Sequence, residues 1–258
     1  MVGTLESLIL LATVALLILL RFDARRFGAA DYDDEEAPGG WRTWLRRLSW
    51  YFFGLALVLV VYFMHPQPLS VLHIQLGEPR STALLAGLAL GAVGILAAIG
   101  YAWWRLGDLR LPPAHRYPAG IINSVATSFL DEAVFRGILL GLLLAYDWPA
   151  HLAIATQALL YALATRLGGV GRPRGLLLLS LAMGLIGGWL TTVTGGIGAA
   201  FLGHALTRFA IFISTGHAGQ VTPSVAYEQE LGEEDRKVTP VGWEVVGDRE
   251  PGGTRGIQ

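Results

Sequence analysis

The sequence predicts an all-α membrane protein, a polytopic bundle of about seven transmembrane helices. Hydrophobic residues make up 53% of the 258 residues and charged residues only 15%, whereas about 25% of a typical soluble domain is charged. The apolar residues also fall into separate runs, most of them close to the roughly 20 residues that a helix needs to cross a bilayer. This composition excludes a disordered chain and an ordinary soluble enzyme.

Seven apolar runs predict the individual spans. Arginines alternate between the connecting loops, and the loop at 21–47 alone holds six of them. The positive-inside rule therefore predicts an N-terminus outside and a C-terminus in the cytoplasm. The first run carries Glu6 and no basic residue at its start, so we interpret it as a span and not as a signal peptide. The predicted spans are Thr4–Leu20, Trp50–Met64, Thr82–Trp104, Gly120–Tyr146, Trp148–Thr165, Gly175–Thr192 and Gly196–Thr215.

Three parts of the chain follow from this pattern. Residues 1–116 hold the first three spans and a charged cytoplasmic loop at 21–47, and residues 117–216 hold a four-helix core. Residues 217–258 form a polar tail rich in Gly, Pro and Glu, for which we expect no packed core. The expected location is the cytoplasmic membrane of a prokaryote.

The charge balance and the cysteine count exclude several classes of partner and cofactor. The formal net charge is −1, so no strong positive field attracts nucleic acid. The chain has no cysteine, which excludes disulfides, zinc–thiolate sites and iron–sulfur clusters. We expect the lipid bilayer and a membrane-anchored protein or peptide as partners, and the sequence leaves the oligomeric state open.

Charged side chains inside the apolar spans mark a candidate functional site. A charge at the centre of a bilayer costs about 2.5–3.5 kcal/mol on insertion scales, so such residues face the bundle interior. Asn123, Thr127 and Asp131 are spaced four residues apart and predict a polar stripe along the fourth span. The charged residues deep in the spans are Asp131, Glu132, Arg136 and Arg208.

The spacing of these residues suggests different roles. Glu132 and Arg136 are four residues apart and can pair on one helix face. Asp131 points about 100° away from Glu132 and has no arginine one turn along its own helix. His204 precedes Arg208 by one turn, so the two share a face of the last span. A carboxylate beside a histidine suits general acid–base chemistry on a water molecule.

A purely structural role explains the same charges. The charges of the two carboxylates and the two arginines sum to zero, and a neutral buried ion cluster could simply tie the fourth span to the seventh.

The same residues fit a metal site less well. Asp131, Glu132 and His204 could supply at most three ligands, and the two arginines would oppose a cation. We therefore predict no metal and no other cofactor.

Three short motifs resemble those of the CAAX prenyl protease and bacteriocin-processing (CPBP) family. Asp131–Gly137 resembles the first motif, E-E-x-x-x-R, which often continues as F-R-G. Tyr161–Thr165 aligns with the second motif, F-x-x-x-H, about 30 residues further on. His204–Arg208 is similar to the third motif, H-x-x-x-N or H-x-x-x-D. The resemblance covers roughly Tyr117–Gly216.

This resemblance implies an intramembrane endopeptidase of glutamic or aspartic type that needs no metal. The family includes enzymes that remove the last residues of prenylated CAAX proteins, and also bacteriocin-immunity and abortive-infection proteins. Asp131 would be the general base that activates water, and Glu132 with Arg136 would be the orienting pair. His204 would stabilise the oxyanion together with Arg208.

The chain departs from the family pattern at three of its four functional positions. Asp131 replaces Glu, Thr165 replaces the water-positioning His, and Arg208 replaces Asn. The departures keep two alternatives open: a catalytically inactive member of the same fold that binds a partner, in an immunity-like or scaffold role, and a small proton-coupled transporter. For every alternative we expect one buried polar cavity lined by Asp131, Glu132, Arg136, Thr165, His204 and Arg208.

Overall fold

The structure, a computed structural model, describes residues 4–27, 41–107, 109, 111–112, 114, 117–167 and 174–215. These residues form helices joined by turns and contain no β-strand, which confirms the all-α prediction. A short 3₁₀ turn at Ala24–Phe27 follows the first helix. The helices are α1 (Thr4–Phe22), α2 (Trp41–Met64), α3 (Pro68–Val71), α4 (Arg80–Leu106), α5 (Tyr117–Glu132), α6 (Leu140–Ala145), α7 (Ala150–Leu167), α8 (Arg174–Thr194) and α9 (Gly198–Thr215).

Several of these helices have the length and composition of membrane spans. Within the described ranges, Leu45–Met64, Arg80–Trp104 and Leu177–Thr194 are long and apolar enough to cross a membrane. Three shorter helices are also apolar: Leu8–Phe22, Ala150–Thr165 and Gly198–Ser214. The chain is therefore a membrane protein, while the count of seven spans and the orientation of the termini stay predictions. Residues 28–40 of the predicted loop and the tail at 217–258 lie outside the described residues.

The first two helices extend further than the apolar runs that predict them. α1 continues past Leu20 to Phe22, and α2 begins at Trp41 instead of Trp50. The apolar pattern misses these turns because polar residues occupy them, and a helix does not end where its composition changes. Consequently Arg21 and Arg47, assigned to a loop from the sequence, lie within helices and are each 5% exposed.

The fourth predicted span is one helical run with a π-helical turn in its middle. α5 ends at Glu132, the π-helical turn occupies Ala133–Leu139, and α6 continues from Leu140. The wider turn has an outside contact, since His73 N–H donates to the Gly137 carbonyl at 3.3 Å. Helical periodicity alone predicts a regular helix here. The π-helical turn follows directly after the two acids of the first motif, and such turns are frequent at functional sites.

Close packing between helices holds the candidate site together. α9 packs along α4, and α7 packs on α8, in each case through glycines that let the backbones approach. A Cβ at Gly87 would lie 2.9 Å from the Ala199 carbonyl oxygen, and one at Gly184 would lie 2.8 Å from Ala158. α1 packs against α2, α7 and the π-helical turn. The first helix is thereby part of the surroundings of the site.

Candidate active site

The two acids of the first motif end α5 and face different helices. Asp131 and Glu132 are each 1% exposed. Adjacent residues of a helix are about 100° apart, so the two carboxylates point in separate directions. Glu132 bonds to α9 and Asp131 bonds to α1. This divergence gives the two acids different partners and different chemistry.

Glu132 connects the first motif with the third. His204 Nδ1–H donates to Glu132 Oε1 at 2.8 Å, across 72 residues of sequence. On its other oxygen, Glu132 Oε2 lies 3.3 Å from Arg136 Nε. The ion pair predicted from the four-residue spacing is thus confirmed. Glu132 fixes the orientation of His204, and Arg136 balances the negative charge of Glu132.

Tyr161 completes this group, and the sequence analysis missed its part. Its hydroxyl lies 3.2 Å from His204 Nε2, so both ring nitrogens of the histidine are engaged. The guanidinium carbon of Arg136 lies 4.1 Å from the centre of the Tyr161 ring, a cation–π contact. The sequence does give one indication of this role, because Tyr161 adds a hydroxyl where the family motif has phenylalanine.

Asp131 forms an ion pair that the sequence analysis did not predict. Arg21 Nε donates to Asp131 Oδ1 at 2.5 Å, and Arg21 Nη2 donates to Asp131 Oδ2 at 3.2 Å. The side chains are 5% and 0% exposed. The assignment of Arg21 to the cytoplasmic loop is therefore wrong, because α1 continues past the apolar run and packs on the π-helical turn. In the sequence, the one indication that Arg21 could belong to the site is its charge directly after an apolar run.

Arg208 lies close to this pair without forming a salt bridge to a described residue. It interacts electrostatically with Asp131 and with Tyr51, and its Nε is buried without a hydrogen-bond acceptor in the described part of the chain. Arg21 therefore adds a third arginine to the two, Arg136 and Arg208, that the sequence places beside the two carboxylates.

Thr165 lies on the inner face of α7. It is 7% exposed and follows Tyr161 by one helical turn, so both side chains share that face. Glu132 is in direct contact with both Arg136 and His204, whereas Asp131 contacts Arg21. Thr165 is buried on α7, and Arg208 is half-buried on α9.

The comparison with known proteins identifies the part of the chain that carries these motifs. Residues 113–210 match the family model described as Type II CAAX prenyl endopeptidase Rce1-like. This segment is a Rce1-like domain. The match confirms the resemblance seen in the three motifs and nearly coincides with its predicted range, Tyr117–Gly216. No curated protein and no solved structure matches the chain.

The Rce1-like domain belongs to a protease family, so the chain carries a protease-type domain in a membrane protein. The domain spans α5 to α9 without the last five residues of α9. It excludes α1, and therefore excludes Arg21. The acid of the first motif is thus bound by a residue from outside the Rce1-like domain.

The predicted polar stripe of the Rce1-like domain is buried and faces α2. Tyr51 donates its hydroxyl hydrogen to Asn123 Oδ1 at 2.7 Å, and Thr127 Oγ1 donates to the same oxygen at 2.6 Å. Asn123 and Thr127 are at most 1% exposed. This confirms the stripe that the four-residue spacing predicts. Its partner Tyr51, like Arg21, comes from outside the domain.

The sequence predicts one buried polar cavity lined by six site residues, and the space found beside Asp131 differs from it in having mostly apolar walls. A cavity of about 10 Å³ lies beside Asp131 and Arg21, with apolar walls that include Leu17 and Trp50. That volume is about what one water molecule requires. Elsewhere in the site, Glu132 is in direct contact with Arg136 and His204. Among the described residues, no group of three or more His, Asp or Glu is placed to hold a metal ion.

Proposed function

We propose that the protein is an intramembrane endopeptidase of the cytoplasmic membrane of a prokaryote. It hydrolyses a peptide bond in a membrane-anchored protein or peptide, and its catalytic groups are side chains, without a metal ion. The observation that carries this proposal is the 2.8 Å hydrogen bond between Glu132 and His204, which joins the first and third motifs beside a second carboxylate. A buried acid can serve as a general base, and a histidine and an arginine can stabilise an oxyanion, in acyl transfer to water.

Asp131 acts as the general base in this reaction. As the water oxygen adds to the carbonyl carbon, one of its protons passes to the Asp131 carboxylate. The C–N bond then breaks, and the amine leaves with that proton, so the enzyme returns to its initial state. Arg21 occupies one lone-pair direction of each Asp131 oxygen, and a carboxylate has about four such directions. The carboxylate can therefore bind a water while it stays paired.

His204 and Arg208 stabilise the oxyanion that forms at the carbonyl oxygen. Glu132 binds Nδ1 of His204 and fixes the orientation of the ring, and the Nε2 side of the ring is the donor to the oxyanion. The Tyr161 hydroxyl now next to Nε2 yields this position when the substrate binds. Arg208 adds a positive charge, and it forms no salt bridge to a described residue.

Cleavage in reconstituted membranes tests the proposal. The full-length protein in liposomes is mixed with a library of membrane-anchored peptides, and new termini are identified by mass spectrometry. We expect cleavage by the wild type and a loss of about 10²-fold or more with Asp131→Asn or His204→Asn, since each removes a group that acts in the transition state. Arg80→Met is the control, because Arg80 is 80% exposed and pairs with an equally exposed Glu78. No cleavage by the wild type would contradict the proposal.

A second candidate function is a non-catalytic member of the fold that binds a membrane partner. Two observations favour it: Arg21 holds both oxygens of Asp131, and the second motif has Thr165 where the family has histidine. Unlike a histidine ring, a threonine hydroxyl cannot take up a proton and pass it on near neutral pH.

Replacing Thr165 by histidine discriminates between the two functions. If the protein is an endopeptidase, Thr165→His retains or raises the cleavage rate of the wild type, because the family histidine fits that place. If neither version cleaves any peptide of the library and both capture the same membrane partner by crosslinking, the second candidate is correct. Thr192→His on α8 is a matched control, since the Thr192 hydroxyl donates to the Trp189 carbonyl within its own helix.

A further inference from the structure

We propose that Arg21, on α1 and outside the Rce1-like domain, is a positioning residue for Asp131, and that the two side chains together hold the hydrolytic water. This inference rests on the proposed endopeptidase function. It assigns a role in the reaction to the N-terminal part of the chain. The residues that carry it are 110 positions apart in sequence and are brought together only by the packing of α1.

The geometry of the pair fixes the carboxylate in one orientation. Two parallel hydrogen bonds, at 2.5 Å and 3.2 Å, hold both oxygens against the planar guanidinium. A bidentate arginine–carboxylate pair restrains the plane of the carboxylate as well as its position. Because the Arg21 side chain is only 5% exposed, solvent does not weaken the restraint. A lysine at the same place would keep the charge but lose the second bond.

The Asp131 carboxylate lies closer to its backbone than a glutamate carboxylate would. Its side chain is one methylene shorter than the family residue, which withdraws the carboxylate by roughly 1.5 Å, about one C–C bond. A misplacement of about 1 Å in a catalytic group can lower the rate by about 10²-fold. The partner on α1 fixes where the shorter side chain places its oxygens.

Arg21 also provides the charge that a buried base requires. A carboxylate must be ionised to accept a proton from water, and an isolated ionised carboxylate is strongly disfavoured in an apolar interior. Glu132 has Arg136 and His204 as partners, whereas the direct ionic partner of Asp131 among the described residues is Arg21. Removing Arg21 would leave Asp131 with only the more distant interactions of His204 and Arg208.

The small cavity next to the pair supplies the place for the water. Arg21 and Asp131 both line this space of about 10 Å³, and the rest of its wall is apolar. Arg21 Nη1 is buried without an acceptor in the described part of the chain, while Nε and Nη2 donate to Asp131. A water here accepts from Nη1 and donates to Asp131. That arrangement aims one water proton at the base and leaves an oxygen lone pair for the carbonyl carbon.

Kinetics of Arg21 variants in the liposome assay test this role. We expect Arg21→Met to lower kcat about 100-fold and to change KM by less than about threefold, because Arg21 acts on the water and not on substrate binding. Arg21→Lys should lower kcat about tenfold, since it restores the charge without the second hydrogen bond. Arg80→Met, which removes an exposed arginine, should match the wild type.

The possible outcomes separate this inference from the proposed function. Cleavage by the wild type with an unchanged kcat in a folded Arg21→Met protein overturns the role of Arg21 and leaves the endopeptidase intact. A kcat for Arg21→Lys as low as that of Arg21→Met, with both proteins folded, overturns the contribution of charge. An increase in KM without a loss of kcat makes Arg21 a substrate-binding residue and also overturns the inference. No cleavage by the wild type overturns the proposed function together with this one.

Discussion

At the scale of single residues, the site consists of two groups of ion pairs that point in different directions from the end of α5. Glu132 is paired with Arg136 and His204, and Asp131 is paired with Arg21. Both groups are almost completely buried, so neither carboxylate can rely on solvent. Breaking one partner of a buried pair is costly, because it leaves the other charge uncompensated.

Substitution of Glu132 tests this energetic argument. Glu132→Gln leaves Arg136 without its carboxylate and should lower the free energy of unfolding by about 3–5 kcal/mol. The measurement is thermal or denaturant unfolding in detergent micelles. The double variant Glu132→Gln with Arg136→Met removes both charges and should recover most of the stability without recovering cleavage. Equal stability of wild type and Glu132→Gln would show that the pair contributes nothing to folding.

The sequence predicted the charged residues of the site but not all of their partners. Asp131, Glu132 and Arg136 are conspicuous because charges are rare in apolar helices, and the Glu132–Arg136 spacing predicts their contact. Arg21 was missed because its contact depends on how two distant helices pack, which no local pattern records. Tyr161 was missed because one tyrosine in an apolar helix looks like an ordinary core residue.

At the scale of elements, the π-helical turn and the glycines of α4 decide where the site residues lie. The turn at Ala133–Leu139 begins directly after the acid pair and is buried from Ala133 to Ile138. α4 carries glycines against α9, the helix of His204 and Arg208. The helices themselves could be predicted from apolar runs. The π-helical turn could not, because it depends on contacts from outside the helix.

Two glycines of α4 form a matched pair for testing this packing. A Cβ at Gly94 would overlap the Thr207 side chain on α9, whereas one at Gly100 would meet no atom within 4 Å. We expect Gly94→Ala to destabilise the protein by about 1–3 kcal/mol through overpacking. Gly100→Ala should be neutral or stabilising by up to about 1 kcal/mol, because alanine favours helix. Equal effects of the two substitutions on the unfolding midpoint would contradict the close α4–α9 contact.

At the scale of the whole molecule, the site is larger than the domain that identifies it. The Rce1-like domain supplies the acids, the histidine and Arg136, while α1 supplies Arg21 and α2 supplies Tyr51. The all-α architecture and the membrane setting follow from composition and run length. The number of spans and their orientation stay predictions from the apolar runs and the arginine distribution.

The most direct test of the central claim is the incorporation of oxygen from water at a cleavage site. The full-length protein in liposomes is incubated with membrane-anchored peptides in water enriched in oxygen-18, and the new C-termini are analysed by mass spectrometry. The account predicts one heavy oxygen in each new carboxyl group with the wild type, and a loss of about 10²-fold or more in product with Asp131→Asn. Unlabelled products, an undiminished yield with Asp131→Asn, or no product from the wild type would contradict it.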